Sequence, residues 1–136
     1  MITKWCDDLA TGNDMIDNQH KELFKRINDL LIACVGKKGK DEVGNLLQYL
    51  KEYVKIHFSD EESLQLQEGY PLYKVHREQH DSFISKLIGV EDQFNAEGET
   101  QFALVNAGNM TLEWLTKHIY QSDKKMAEFV NKSKKR

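Results

Sequence analysis

The chain has 136 residues, 40% hydrophobic and 30% charged, with one proline, eight glycines and five histidines. That is one globular domain with a single core, and two cysteines, Cys6 and Cys34, exclude a disulfide framework. A net charge of −3 with both signs interspersed argues against nucleic acid or an anionic membrane as partner.

Residues 1–15 lack periodicity and are expected to form an arm over the rest, anchored by Trp5. Asp7 and Asp8 stand where a signal peptide needs its apolar centre, and no segment approaches a membrane span, so the expected location is cytoplasmic. Apolar residues then recur at spacings of three and four, the mark of helices with one buried face. The first stripe runs through Ile16, His20, Leu23, Ile27, Leu30 and Cys34, and Cys34 reads as a small core residue. Gly36, Lys37, Lys38 and Gly39 make a turn. The second stripe carries Val43, Leu46, Leu47, Leu50, Val54, His57, Glu61 and Leu64. Gly69 suits a left-handed helix end and Pro71 the first turn of the next helix. The third stripe holds Leu72, His76, His80, Phe83, Leu87, Val90 and Phe94, and Asn95 to Glu99 is read as the next loop. The fourth holds Leu104, Gly108, Thr111, Leu115 and His118, with Gly108 marking a close helix approach or a channel.

Short connections make successive helices antiparallel, so the predicted fold is all-α, an up-down-up-down four-helix bundle over 16–122. Residues 123–136 are assigned to a short terminal helix with Met126, Phe129 and Val130 on one face, followed by a basic tail of Lys132, Lys134, Lys135 and Arg136.

All five histidines lie on these inward stripes, together with Glu61. A single buried histidine is ordinarily a packed side chain with one hydrogen bond, but five would each need a polar partner in an apolar core. His57 and Glu61 are four apart, as are His76 and His80, so each pair occupies one helix face a turn apart. His20 lies early in its helix, His57 and Glu61 late in theirs, His76 and His80 early, and His118 late. In an antiparallel bundle these places share one end.

Asp123 follows His118 by five residues, about 140° past a full helical turn, so both face inward only if the helix stops or loosens near Tyr120 to Ser122. Capping of the terminal helix is an equal alternative for Asp123. Five imidazoles and two carboxylates exceed the needs of one zinc or one open iron site, and two metals fit better, with iron, manganese and zinc all compatible. The carboxylates of Glu61 and Asp123 are the natural bridges. A ferritin-like oxidase is disfavoured because no glutamate stands three residues before a histidine.

Taken together, Trp5, Gly12 and the run Ile16-Asp17-Asn18-Gln19-His20, then His57-Phe58-Ser59-Asp60-Glu61-Glu62, then Gly69-Tyr70-Pro71 leading to His76 and His80, and finally Trp114 through Asp123, resemble the hemerythrin family in its short bacterial form. The resemblance implies a non-haem centre of two iron ions with an oxo or hydroxo bridge. One iron would be held by His76, His80 and His118, the other by His20 and His57, with Glu61 and Asp123 bridging. The second would be one ligand short, and dioxygen, the implied partner, would bind reversibly there. Leu115 is expected to wall the oxygen pocket, with Trp114, Ile119 and Phe58 as further candidates. The inward stripes offer no obvious spare acid or base, so the reading is an oxygen-binding protein rather than an enzyme. The alternative is a module sensing oxygen, nitric oxide or iron through a partner that the sequence does not identify.

Overall fold

The computed structural model describes residues 5–36, 39–97 and 101–134. Its main elements are α1 (Asp14–Val35), α2 (Lys40–Glu68), α3 (Tyr73–Glu97), α4 (Gln101–His118), a π turn (Ile119–Asp123) and α5 (Lys124–Lys134), and the described residues contain no strand. The four long helices form the expected antiparallel bundle.

The arm enters α1 through a cap that fixes where the helix starts. Asn13 Oδ1 accepts the backbone N–H of Ile16 at 3.0 Å, satisfying an amide that has no partner in the first turn. Gly12 adopts φ +83, and the Asp17 carboxylate accepts both the N–H and the hydroxyl of Thr11, at 2.9 and 2.8 Å. Helix α1 therefore begins at Asp14, two residues before the expected boundary. Trp5 packs against the main core beneath Lys21, whose ammonium lies 4.5 Å from the ring centre, and Leu9 is fully buried. The arm is anchored as expected.

Helix α2 ends at Gly69 in the left-handed conformation, φ 68, as its sequence requires. Pro71 does not open α3. It lies in the turn before Tyr73, and Leu72 is 39% exposed rather than inward. The His76 N–H nevertheless reaches back to the Leu72 carbonyl at 3.0 Å, so the turn feeds directly into the helix. Helix α3 also continues through Asn95 and Glu97, which the sequence reading assigned to a loop. Neither residue breaks a helix, and Phe94, buried one residue earlier, keeps the segment packed. Lys37, Lys38, Gly98, Glu99, Lys135, Arg136 and the side chain of Leu104 lie outside the described residues.

Around the bundle α1 lies between α2 and α4, and α2 also packs against α3. The core joins Leu23, Phe24, Ile27, Leu47, Leu50, Leu112 and Leu115, each removed from water at about 1.5–3 kcal/mol per large side chain. Closure between α3 and α4 depends on the stacked rings of Phe83 and Trp114, 4.3 Å apart at 21°, beside a cavity of about 40 Å³ lined by apolar groups such as Leu87, Val90 and Met110. Gly108 lets α1 and α4 approach. A Cβ there would lie 2.5 Å from Leu31 Cδ2, so the space is filled by leucine and is not a channel.

A second, smaller cluster of Ile16, Tyr70, Met126, Ala127 and Val130 seals the bundle end beyond the histidines, with Leu64 and Phe129 packed against it. The terminal helix is thus a plug. Among the described residues no helix is long and apolar enough to cross a membrane.

Candidate metal centre

His20, His57, Glu61, His80 and Asp123 are completely buried, and His76 and His118 nearly so. Helix α1 supplies the first, α2 the next two, α3 His76 and His80, and α4 His118. Asp123 arrives by the π turn, where the Lys124 N–H bonds to the Ile119 carbonyl five residues back. That wider turn returns a residue five positions on to the face of His118, which a regular helix would not do. The helix loosens without stopping, and Asp123 points inward. Ser122 donates to Gln79 Oε1 at 2.9 Å and ties the turn to α3.

The donor atoms sort into two groups that share both carboxylates. Glu61 Oε1 faces His76 and His80 at 3.2 and 3.3 Å, while its Oε2 faces His57 and His20 at 3.0 and 3.6 Å. Asp123 Oδ1 faces His76 and His118 at 3.0 and 3.1 Å, while its Oδ2 faces His20 at 2.9 Å. One group is therefore Glu61, His76, His80, His118 and Asp123, and the other His20, His57, Glu61 and Asp123. Within the first, His118 Nε2 lies 3.0 Å from His76 Nε2 and 3.2 Å from His80 Nε2.

Three ring nitrogens aimed at one another do not satisfy each other as neutral imidazoles with their lone pairs inward. Bonds of about 2.1 Å to a common octahedral ion would put neighbouring ligand atoms about 3 Å apart, which matches these separations. The Nε2 atoms of His20 and His57 and all four carboxylate oxygens are buried without a hydrogen bond of good geometry. Such atoms are costly in a dry interior unless an ion uses them. The donor set fits divalent first-row metals.

The distal ring nitrogens of two histidines are held from outside. His57 Nδ1–H donates to Gln19 Oε1 at 2.7 Å, and Gln19 Nε2 donates to Asp60 Oδ2 at 2.8 Å, which orients the amide. His80 Nδ1–H donates to Glu62 Oε2 at 2.9 Å. These bonds place the proton on Nδ1 and leave Nε2 as a lone-pair donor to the centre. Gln19, Asp60 and Glu62 were visible only as neighbours of ligand candidates; their adjacency to His20 and Glu61 was the available signal.

The metal-free cluster is strongly polarised. For His20 and His76 burial works against the charged form, but the facing carboxylates of Asp123 and Glu61 outweigh it and raise each pKa to about 9. For Glu61 burial works the other way, and the charge of His57 with hydrogen bonds from His20, His57 and His76 holds its carboxyl well below the usual range. Asp123 is likewise held low: burial and the Glu61 charge oppose ionisation, and His118 and His20 overcome them.

Of the expected pocket residues, Leu115 and Ile119 are buried in the main core with Phe58, and Trp114 is half-buried. Phe58 stacks on His80 at 3.8 Å and 1°, with its ring 5.7 Å from that of His57, and Trp114 stacks on His118 at 4.5 Å and 12°. Trp114 thus lies on the three-histidine side, and Phe58 reaches both. Polar pockets beside Gln79, Gln121 and Ser122 approach His118 and His76 from outside, whereas His20 and His57 are sealed from water.

Residues 11–130 match the family model described as the hemerythrin HHE cation binding domain. A bacteriohemerythrin of Stenotrophomonas maltophilia is 31% identical over 126 residues, covering 93% of this chain and 80% of that protein. Another, from Clostridium acetobutylicum, is 31% identical over 88% of this chain and 95% of its own length. A crystal structure of wild-type hemerythrin superposes with a TM-score of 0.86 at 25% identity, covering 96% of this chain and 98% of that one.

Proposed function

The chain belongs to the hemerythrin family, and on that premise we propose that it binds dioxygen reversibly at two non-haem irons, for storage, delivery or scavenging. His76, His80 and His118 would hold one iron, His20 and His57 the other, with Glu61 and Asp123 shared between them. The division of both carboxylates between the two histidine groups is the observation that carries this reading. A single ion would draw both oxygens, or only one, to the same side.

When bound, two ferrous ions would supply the electrons and the open coordination position that dioxygen requires. His76, His80 and His118 with the two carboxylates would offer one ion a fuller protein donor set than His20 and His57 with the same carboxylates would offer the other. The chain contributes the rest. Gln19 and Glu62 hold the rings of His57 and His80 in orientation, and the π turn delivers Asp123. Phe58, whose ring neighbours that of His57, would exclude water together with Leu115 and Ile119 of the buried core, and Trp114 stacks on His118. Two carboxylates against five imidazoles give fewer anionic donors than a ferritin-like oxidase has, which favours binding over oxygen activation.

Anaerobic loading with ferrous iron, followed by repeated oxygenation and deoxygenation, tests the reading. A visible charge-transfer band that returns through several cycles is expected. Immediate conversion to a ferric form that no longer binds oxygen would overturn it. His57→Ala should lose stable oxygen binding or one iron, and two irons with normal reversibility in that variant would remove His57 from the ligand set.

A further inference from the structure

Two histidines of the cluster have their distal nitrogen held, but His20 does not. Its Nδ1 is completely buried and bonds to no protein group. A histidine that offers Nε2 to an ion carries its proton on Nδ1, so this N–H needs an acceptor in a region sealed from water.

An acceptor of the right kind stands on the neighbouring helix. Gln65 is completely buried, and neither its Oε1 nor its Nε2 has a hydrogen-bond partner. It follows Glu61 by one turn on α2, and Glu61 faces His20 across the α1–α2 contact. Helix direction brings the two side chains toward each other. The helices are antiparallel, so one turn onward along α2 corresponds to one turn back along α1, the level of Ile16. Side chains lean toward their own helix N-terminus, so His20 leans toward Ile16 and Gln65 leans back toward Glu61. The smaller core cluster at this end of the bundle consists of Ile16, Tyr70, Met126, Ala127 and Val130, of which only Tyr70 carries a polar group.

Leaving an amide and an imidazole N–H both unpaired in that region would cost stability at three atoms at once. We propose that Gln65 is the positioning residue for His20: in the metal-loaded protein its Oε1 accepts the His20 Nδ1–H through one buried water, or directly after a shift of the amide. Gln65 thereby does for the two-histidine group what Gln19 does for His57. Gln19 and Gln65 then support the two imidazoles of the same group, and the side expected to hold the open coordination position is the one oriented by neutral amides. The three-histidine group has a carboxylate, Glu62, behind His80.

This inference rests on the two-metal reading, and the experiment separates the two. Zinc titration of wild-type protein followed calorimetrically should give two equivalents; one equivalent or none would refute the two-metal reading itself. Gln65→Met, of similar length but with no acceptor, should then weaken only one equivalent, by about 10–100-fold, the usual consequence of removing a ligand's outer partner. Its metal-free form should change little in stability, because the amide Nε2 left without a partner is removed together with the acceptor of the His20 Nδ1–H. Gln65→Glu, which keeps an acceptor, should restore the weaker equivalent. In zinc-loaded wild type, nitrogen-edited NMR should detect a slowly exchanging His20 Nδ1–H that shifts or broadens in Gln65→Met. Two equivalents of unchanged affinity in Gln65→Met, with the His20 resonance unmoved, would overturn the proposal. Parallel losses of metal-free stability and of both equivalents would reduce Gln65 to a packing residue and overturn it equally.

Discussion

Metal loading should release protons from His20 and His76. His20 and His76 have pKa values of about 9 in the metal-free fold, because Asp123 and Glu61 stabilise their charged forms more than burial opposes them. At pH 7.5 each is about 97% protonated, so together they give up about 1.9 protons when an ion takes Nε2. At pH 9.5 the same arithmetic leaves about 0.5. Glu61 and Asp123, both held well below the usual range, are ionised throughout and release nothing. The competition costs about 2 kcal/mol per histidine at pH 7.5, so affinity should climb with pH and level off above about 9. Anaerobic addition of ferrous iron in a pH-stat measures the count. Deprotonation of a bridging water adds a contribution nearly independent of pH, so the fall of about 1.4 protons between the two conditions is the diagnostic quantity. An equal count at both would refute the account of the cluster's electrostatics. The metal-free fold carries the same signature. Stabilisation from His20 and His76 is complete below about pH 6.5 and lost as pH rises through 9, and that from the two carboxylates is present above about pH 4 and lost as pH falls. Metal-free stability should therefore peak between these limits, at about pH 5–6.5, and move to higher pH on loading.

Other outcomes follow from individual contacts. Glu61→Ala removes an oxygen from each histidine group, so bound iron should fall from two to one or none by elemental analysis; two retained irons would refute the bridging role. Gly108→Ala should lower the melting temperature by a few degrees, since crowding Leu31 costs about 1–3 kcal/mol against a helix-propensity gain of about 1 kcal/mol. A rise instead would mean that Leu31 yields freely. Leu115→Ala should retain both irons but speed autoxidation by admitting water, and an unchanged autoxidation rate would remove Leu115 from the pocket wall.

Local rules in the chain determined the helices and most of their inward residues. Periodicity put His20, His57, Glu61, His76, His80 and His118 inside, Gly69 ended α2, and the five-residue spacing from His118 to Asp123 required a departure from the α-helix if both were to face inward. These depend on the backbone repeat, which neighbouring residues set. The end of α3 was misjudged because polar residues without a breaker are neutral between helix and loop, and Phe94 is buried there; Pro71 lies in the turn before Tyr73 rather than in the first turn of α3. Only the tertiary structure decided which oxygen of Glu61 and of Asp123 meets which histidines, that Gln19 and Glu62 hold two rings from behind, and that Gln65 is buried beside the cluster. Helix phase gives the direction of a side chain to within a face. Assigning single atoms to partners 3 Å apart requires the relative height, rotation and separation of several helices, and those are fixed by how their side chains interlock.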